Sequence, residues 1–475
     1  MLFNTTEFFV FIIFFLLAYF QTKGNTRLFI CLTFSCIFYA WYDWRFGPLI
    51  LFLTVINFFI GFKIANTSEN QKAIKFICLG VLFNLGLLAI FKYFNFFSDS
   101  LHTVLGHIGL STNITTLKII APLGISFYTF KIISYFVDIY QGNCQVEKSF
   151  LKFGVFYTFF PILLTGPIVK AGFLIPQLQY DKTPSWNKII LGIELILWGF
   201  FKKVVIADSL AGVVNLEFAE PTAYTSLSLL LSVIFYSFQI YCDFSGYSDI
   251  AIGLGHLLGF DFGENFNRPY FSTSFSEFWK RWHISLSSWL RNYLYIPLGG
   301  NRHGLYNTYI NLLITMVLGG LWHGSNWTFV IWGAIHGIYL ILQRIFGRIY
   351  ERIIDLLRIP QLISNTFLVI LVFLLSCIAW VFFRSETLEQ ALNIFKTIFT
   401  SSNWKFSDVS YQFQVIKGLF LIVLLYAFEG ISFKISLTNI FESKPLVRLL
   451  TGAIIIWSIA FFGTFSGNSF IYSQF

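Results

Sequence analysis

The chain has 475 residues, of which 56% are hydrophobic, only 12% are charged and 61 are phenylalanine. Because one water-soluble core cannot bury this much apolar surface, the composition excludes a soluble globular protein and indicates a protein embedded in lipid. We assign the net charge of +9 to basic residues on the cytoplasmic face of a membrane rather than to nucleic-acid binding. The six cysteines are scattered and show no metal-ligand spacing.

Apolar runs long enough to cross a bilayer recur along the whole chain. The twelve runs are residues 2–20, 28–42, 48–65, 74–91, 119–139, 189–207, 226–241, 309–322, 329–343, 367–383, 416–426 and 446–462. At about 20 residues per crossing, they predict an all-α polytopic membrane protein with roughly 11–13 transmembrane or re-entrant helices. We expect a single integral membrane domain over residues 1–475. The first run contains Glu7 and has neither a basic region before it nor a cleavage site after it, so we expect a retained helix.

The basic residues of the first loops predict the orientation. The first and third loops carry Lys23, Arg27, Lys63, Lys72 and Lys75, whereas the second loop, residues 43–47, is neutral overall. Since basic loops stay in the cytoplasm, we expect the N-terminus to lie outside and the first and third loops inside.

Residues 117–343 concentrate the glycine, proline, histidine and polar residues that interrupt the apolar runs, so we expect this block to carry the function. Within it, Lys131 and Asp138 lie seven residues apart and therefore near one face of a helix. They are either a pair facing into the protein or a snorkelling lysine with an aspartate at a helix end. Prolines and a glycine at positions 161, 166, 167 and 176 break the next run too early for a full crossing, which predicts a re-entrant hairpin lining a cavity.

The segment from residue 235 to 266 places polar side chains between apolar ones, namely Gln239, Asp243, Ser245, Ser248 and Asp249. Buried carboxylates need partners or water, so we expect these residues to face the protein interior. Gly253, Gly255 and Gly259 resemble a nucleotide-binding loop only superficially. Because no βαβ unit surrounds them, close helix packing is the better interpretation.

Two histidines directly follow tryptophans, His283 in RWHISLS and His323 in GLWHGSNW. An imidazole is costly in hydrocarbon unless it lines a polar cavity, so we predict chemical roles for both. A third, His336, lies between Gly333 and Gly337 and is expected to be packed or hydrogen-bonded.

Basic and tryptophan residues surround His283, the basic ones being Lys280, Arg281, Arg291 and Arg302. This pattern fits a functional segment and also an amphipathic anchor at the inner interface.

Three stretches carry a family resemblance: QIYCDFSGYSD, FWKRWHISLSSWLRNYLYIPLGGNR and GLWHGSNWTFVIWGAIHG. They resemble the membrane-bound O-acyltransferase (MBOAT) family, in particular its bacterial branch of alginate O-acetylation, peptidoglycan O-acetyltransferase and teichoic-acid D-alanyl transfer proteins. The resemblance covers residues 122–343. Weaker similarity follows in WVFFRSETLEQALNIF and in the terminal FIYSQF, where Ser473 replaces the aromatic residue usual in alginate-type members.

The resemblance implies a funnel-like helical bundle with a thinned centre, a cytoplasmic tunnel for an acyl donor and an outer opening for the acceptor. It implies that His323 is the essential histidine and that His283 occupies its partner position. Because a neutral imidazole accepts a hydroxyl proton near pH 7, His323 is the predicted general base, while His283 orients the acyl carbonyl or shares the proton. Basic side chains are predicted to pair with donor phosphates or with acidic carrier-protein residues, namely Lys280, Arg281 and Arg291. The other predicted substrate-binding residues are Trp282, Ser285, Gln239, Asp243, Ser245 and Trp322.

The resulting prediction is an O-acetyltransferase of the bacterial inner membrane. It takes acetyl from cytoplasmic acetyl-CoA for O-acetylation of a cell-wall or secreted polysaccharide of alginate or peptidoglycan type, and the resemblance implies a periplasmic partner of the SGNH acyltransferase type. We expect no cofactor beyond acetyl-CoA as donor substrate, no metal and no nucleic acid. Delivery of D-alanyl or another acyl group from a carrier protein is the alternative. A channel or secondary transporter is a distant one, because the sequence shows no internal repeat.

Overall fold

The computed structural model describes residues 1–109, 120–179, 183–400, 404, 409–434, 444–465 and 471. Throughout these residues the regular structure is helical, with no β-strand, which confirms the all-α prediction. The chain divides into two compact units, Met1–Gly192 with Leu254–Gly263 and Ile193–Gly253 with Glu264–Gln474.

The first unit is a set of helices around a buried central one. Its helices are α1 (Thr6–Gln21), α2 (Gly24–Ala40), α3 (Phe46–Ala65), α4 (Asn70–Leu88), α5 (Phe94–His107), α6 (Ile125–Tyr140), α7 (Phe150–Thr158) and α8 (Ala171–Leu174), with π-helical residues Ala89–Tyr93 between α4 and α5. Thr5 and Ser149 are the N-caps of α1 and α7, because their side-chain oxygens accept hydrogen bonds from backbone N–H groups of the first helical turn. Nearly all side chains of α6 are buried, so α6 forms the core of this unit.

The charged residues of α6 face inward. Lys131 and Asp138 are both buried. Lys131 Nζ lies 4.8 Å from the ring centroid of Phe156 on α7, a cation–π contact inside the unit. This position favours an inward-facing lysine over a snorkelling one.

The chain between α7 and α8 does not complete a crossing. It is a buried, irregular segment with a single 3₁₀ turn at Phe160–Ile162. The backbone N–H of Phe160 donates to Ser35 Oγ at 3.1 Å, which satisfies a polar group that lipid cannot satisfy. A pocket in this unit is lined partly by this segment, with Phe127, Tyr128, Lys131, Tyr157, Ile162, Leu163, Pro167 and Ile168 around it. The buried, irregular course agrees with the predicted interruption of this apolar run, and its re-entry into the membrane stays a prediction.

The second unit is built around one long helix. Its helices are α9 (Trp186–Phe200), which begins in the first unit, α10 (Asp208–Ala219), α11 (Ser226–Leu257), which ends in the first unit, α12 (Phe275–Arg281), α13 (Ile284–Leu290), α14 (Gly304–His323), α15 (Trp327–Leu356), α16 (Gln361–Arg384), α17 (Leu388–Thr400), α18 (Val409–Lys434) and α19 (Pro445–Phe462). The residues Phe201–Ala207 and Arg291–Tyr295 are π-helical. Of the apolar window of α11, 78% is buried, against 0% for α19, so α11 is central and α19 lies at the surface of the unit.

Glycines set the close contacts at the end of α11. A Cβ on Gly255 would lie 2.5 Å from Phe262 Cε2, so this glycine admits the ring of the loop that follows α11, whereas the sequence predicted packing against a helix. Gly259, just past the helix, has φ +86°, a left-handed conformation that glycine adopts without strain.

α14 and α15 form a tight hairpin. A Cβ on Gly320 would clash with the carbonyl oxygen of Phe329, and a Cβ on Gly333 would clash with that of Met316. Only glycine lets the two backbones approach so closely. The hairpin therefore holds His323, the last residue of α14, against α15.

Eight helices among the described residues are long and apolar enough to cross a membrane, and Thr6–Gln21 and Phe150–Ile162 are shorter apolar helices. Each predicted apolar run overlaps a helix. The chain is therefore a multi-pass membrane protein.

Candidate functional site

His283 occupies a strained turn between α12 and α13, and its side chain is fully buried. Its backbone has φ 42° and ψ 57°, a left-handed conformation that few residues other than glycine adopt. Such strain costs roughly 1 kcal/mol or more and persists only where the surroundings determine it. Burial lowers the pKa of the His283 imidazole to about 3, so the ring is neutral at physiological pH.

The Asn265 side chain positions the His283 ring. Asn265 Oδ1 lies 3.2 Å from His283 Nδ1 and accepts the Ser285 hydroxyl at 2.8 Å. Asn265 Nδ2 donates to Ser248 Oγ on α11 at 3.1 Å. The amide is thus held by α11 on one side and by the strained turn on the other. A carbonyl oxygen facing Nδ1 favours the tautomer with the proton on Nδ1, in which Nε2 carries the lone pair.

His323 is buried at the end of α14. Its ring centroid lies 5.0 Å from Trp332 and 5.2 Å from Phe383, both edge to face. Trp322 contacts both predicted histidines, at 4.9 Å from His323 and 6.1 Å from His283. The structure therefore brings His283, Trp322 and His323 into one cluster within the second unit.

Asp243 belongs to a separate cluster of buried charges. Lys203 Nζ lies 2.6 Å from Asp243 Oδ1 and 2.9 Å from Asp208 Oδ1. The backbone N–H of Ile471 donates to Asp243 Oδ2 at 2.8 Å. Removing Asp243 alone would leave Lys203 with one carboxylate fewer in the interior, and breaking a buried ion pair costs about 3–5 kcal/mol, so we expect the fold to require Asp243.

Close helix contact makes these ion pairs possible. A Cβ on Gly199 would lie 2.5 Å from the carbonyl oxygen of Gly246, so α9 and α11 approach backbone to backbone. The π-helical residues that follow α9 include Lys203 and its neighbour Lys202. Lys202 Nζ lies 2.5 Å from Asp249 Oδ2 on α11. The buried carboxylates of α11 thus have the partners that buried charges need.

The basic residues predicted to bind the donor lie at the surface of the segment from α12 to the π-helical residues 291–295. Lys280 and Arg291 are exposed, and Arg281 Nη2 pairs with Glu277 Oε1 at 2.7 Å on the same helix. Trp282 is fully buried and packs 4.9 Å from Trp380, so it is a core residue beneath this segment.

The remaining predicted residues, Gln239 and Ser245, are buried on α11. Gln239 Oε1 and Ser245 Oγ have no hydrogen-bond partner in the part of the chain that the structure describes. Both stay candidates for contact with a substrate.

Asn265, Lys202 and Lys203 were not predicted as site residues. The two lysines had a visible signal, since they interrupt an apolar run, whereas Asn265 stands in a polar loop without any spacing motif. No group of three or more His, Cys, Asp or Glu side chains within the described ranges is placed to hold a metal ion.

Comparison with known proteins decides the family. Residues 147–384 match the family model of MBOAT, the membrane-bound O-acyltransferase family. The chain is 42% identical over 414 residues to a probable alginate O-acetylase of Azotobacter vinelandii, covering 86% of this chain and 80% of that relative. The chain belongs to the membrane-bound O-acyltransferase family.

Two further relatives of this MBOAT protein carry other names. It is 35% identical over 410 residues to a peptidoglycan O-acetyltransferase of Helicobacter pylori, covering 81% of this chain and 75% of the relative. It is 28% identical over 246 residues to a teichoic acid D-alanyltransferase of Bacillus subtilis, covering 49% and 61%. The chain is therefore an enzyme, a membrane O-acyltransferase, rather than a channel or transporter.

The matched segment contains both predicted histidines and Asp243. The terminal FIYSQF lies outside the described residues except for Ile471, and so does Ser473.

Proposed function

We propose that this MBOAT protein moves acetyl from cytoplasmic acetyl-CoA across the bacterial inner membrane for O-acetylation of a cell-wall or secreted polysaccharide of alginate or peptidoglycan type. The observation that carries the proposal is the cluster of His283, Trp322 and His323, two buried imidazoles against one indole, inside the segment that matches the family. The names of the relatives with 42% and 35% identity support acetyl as the acyl group.

In the proposed mechanism, His323 is the general base. Its imidazole takes the proton of the acceptor hydroxyl, and the hydroxyl oxygen attacks the carbonyl carbon of the thioester. A C–O bond forms, the C–S bond breaks, and the proton returns from the imidazolium to the departing sulfur, so CoA leaves as the free thiol.

His283 has a supporting role in this mechanism. Its Nδ1 faces the Asn265 oxygen at 3.2 Å, which favours a lone pair on Nε2. A lone pair accepts a hydrogen bond, and so can share a proton held by a neighbouring group, but it cannot donate to a carbonyl oxygen. We therefore favour the alternative in which His283 shares the proton over the one in which it orients the acyl carbonyl.

The proposed donor enters from the cytoplasmic side. The exposed Lys280 and Arg291 are suited to donor phosphates, since a guanidinium or ammonium group forms charge-assisted hydrogen bonds with phosphate oxygens. The same side chains suit the acidic surface of a carrier protein, so they do not by themselves decide between the two donors.

The proposed acceptor on the outer side is a partner protein of the SGNH acyltransferase type rather than the polysaccharide itself. A buried histidine cannot reach along a bulky glycan, and His323 is only 3% exposed. A slender segment or hydroxyl-bearing residue of a partner would reach it.

Reconstitution in liposomes tests this proposal. Purified protein receives acetyl-CoA on one side and an oligosaccharide on the other, with or without the SGNH-type partner, and sugar acetylation is measured against a His323→Ala control. We expect acetylation only with the partner. Rapid sugar acetylation by the chain alone would refute the relay. Activity with a charged carrier protein but not with acetyl-CoA would replace the donor and favour the D-alanyl alternative.

A further inference from the structure

Three nitrogen-bearing rings meet beside His323, where α12 packs on α15. The ring centroid of His336 lies 4.9 Å from Trp332 and 5.1 Å from Trp279, and the two indoles are 5.8 Å apart. Trp332 is also the ring that faces His323 at 5.0 Å. We refer to Trp279, Trp332 and His336 as the donor triangle.

The donor triangle has unused hydrogen-bonding capacity. The indole nitrogens of Trp279 and Trp332 and both ring nitrogens of His336 are buried, without a hydrogen-bond partner among the described residues. Each buried polar group left unpaired costs about 1–3 kcal/mol, and phenylalanine would fill the same space without that cost. Two indole N–H groups and an imidazole N–H are therefore available to an oxygen acceptor that is not part of this chain.

The donor triangle is held in a fixed geometry. Gln343 on α15 accepts the backbone N–H of Ser276 at 3.0 Å and donates to its hydroxyl at 3.1 Å. Next to this clamp, Phe275 stacks on Tyr339 with centroids 4.5 Å apart. Because α12 is tied to α15 at two points, the three rings keep their positions relative to one another.

We propose that the donor triangle binds an amide carbonyl oxygen in the arm of the acyl donor, the alkyl and amide chain that ends in the thioester. This inference rests on the proposed function. α15 begins beside His323 and carries Arg344, Arg348 and Arg352 towards its other end. Because basic residues at the end of a membrane helix favour the cytoplasmic side, we expect this end to be cytoplasmic. A donor arm entering from that end meets His336 before it meets His323.

The chemistry of the donor triangle selects this ligand class. Aromatic walls suit an alkyl chain, and N–H donors suit a neutral amide oxygen. None of the three side chains is a lysine or arginine, so the donor triangle lacks the cationic group that recognition of phosphate or carboxylate uses.

Binding of unreactive donor analogues tests the inference without requiring acyl transfer. The first probe is the S-acetonyl thioether of N-acetylcysteamine, which has one amide. The second is the S-acetonyl thioether of an alkanethiol of equal length, which has none. We expect Trp279→Phe and His336→Leu to weaken binding of the amide probe about 10-fold, the loss of one hydrogen bond, and to leave the alkyl probe unchanged. His336→Gln, which keeps a donor, should recover most of the affinity.

A matched control is available in the same unit. Trp198 stacks on Phe201 at 5.3 Å, away from the donor triangle in sequence, and Trp198→Phe should change neither affinity. Thermal unfolding of each variant verifies that the fold is intact. Equal weakening of both probes by Trp279→Phe would show a packing role and overturn the inference, and so would unchanged affinity for the amide probe.

One further arm separates this inference from the proposed function. Wild-type protein is titrated with S-acetonyl-CoA. Binding of S-acetonyl-CoA by the wild type, with no effect of either triangle variant on the amide probe, overturns the donor triangle and leaves the proposed donor standing. Absence of S-acetonyl-CoA binding, with the expected loss of amide-probe affinity in both triangle variants, overturns the proposed CoA donor and leaves the donor triangle standing.

Discussion

Replacing Asn265 with alanine removes the group that positions His283. The change deletes the acceptor of the Ser285 hydroxyl at 2.8 Å and of His283 Nδ1 at 3.2 Å, and the donor to Ser248 Oγ at 3.1 Å. At about 1 kcal/mol for each buried hydrogen bond, unfolding of Asn265→Ala should require roughly 3 kcal/mol less free energy. Because the strained turn then loses its main side-chain support, the imidazole should shift. A shift of about 1 Å in a reacting group lowers the rate about 10²-fold.

The assay is acyl transfer in liposomes with a fixed amount of partner, with kcat and KM determined separately below the unfolding temperature of every variant. We expect kcat of Asn265→Ala to fall about 10²-fold with little change in KM, because the interaction acts on the chemical step. Asn267→Ala is the matched control, since Asn267 lies two residues away and its side chain donates to Glu264 at 3.0 Å on the exposed side. Equal kcat in the two variants would refute the positioning role of Asn265.

Three further predictions follow from the same geometry. His323→Ala should lower acyl transfer about 10²- to 10⁴-fold while the protein still inserts normally, and His283→Ala should leave more residual activity; near-normal O-acetylation in cells whose only copy carries His323→Ala would contradict the general-base role. Single cysteines introduced as His303→Cys or Tyr350→Cys in a cysteine-free variant should resist impermeant thiol reagents in whole cells and react in inverted vesicles, and labelling from outside would reverse the topology. Gly333→Ala should destabilise the protein by about 1–3 kcal/mol, because its Cβ meets the Met316 carbonyl, whereas Gly347→Ala, with open space, should not; equal melting temperatures would argue against the tight hairpin.

The membrane helices could be predicted because long apolar runs carry their own signal. The eight described helices that are long and apolar enough to cross a membrane each overlap one of the twelve runs, and the other four runs also overlap helices. α11 continues past its run to Leu257 because its polar face is buried rather than exposed. The short helices α12 and α13 could not be predicted, since each has only 7 residues and the strained His283 between them is held by tertiary contacts. Hydropathy also gives no signal for the π-helical residues 201–207.

The candidate site was only partly predictable for a similar reason. His283 and His323 stood out because imidazoles are costly in lipid, and the structure brings both to Trp322. Asn265 acts through Ser248, 17 residues before it, and Ser285, 20 residues after it, and no local pattern reports such a contact. The aspartates of α11 were predicted to need partners, but their partners, Lys202 and Lys203, could not be predicted. The lysines reach the aspartates because Gly199 and Gly246 let two distant segments approach closely, and no local pattern reports that contact.

The paired lysines have a consequence for how the protein is made. A lysine at the centre of a helix opposes insertion into the bilayer by about 3 kcal/mol. Lys202 carries this cost when its segment emerges alone, because its partner Asp249 lies on α11, whereas Lys203 also has Asp208 2.9 Å away in its own segment. Asp243 and Asp249 oppose insertion of α11 in the same way. Since each lysine finds its carboxylate on α11 within 3 Å, the two segments enter lipid at least cost as a preassembled pair. During biosynthesis, we therefore expect α9 to enter the bilayer only after α11 has been translated.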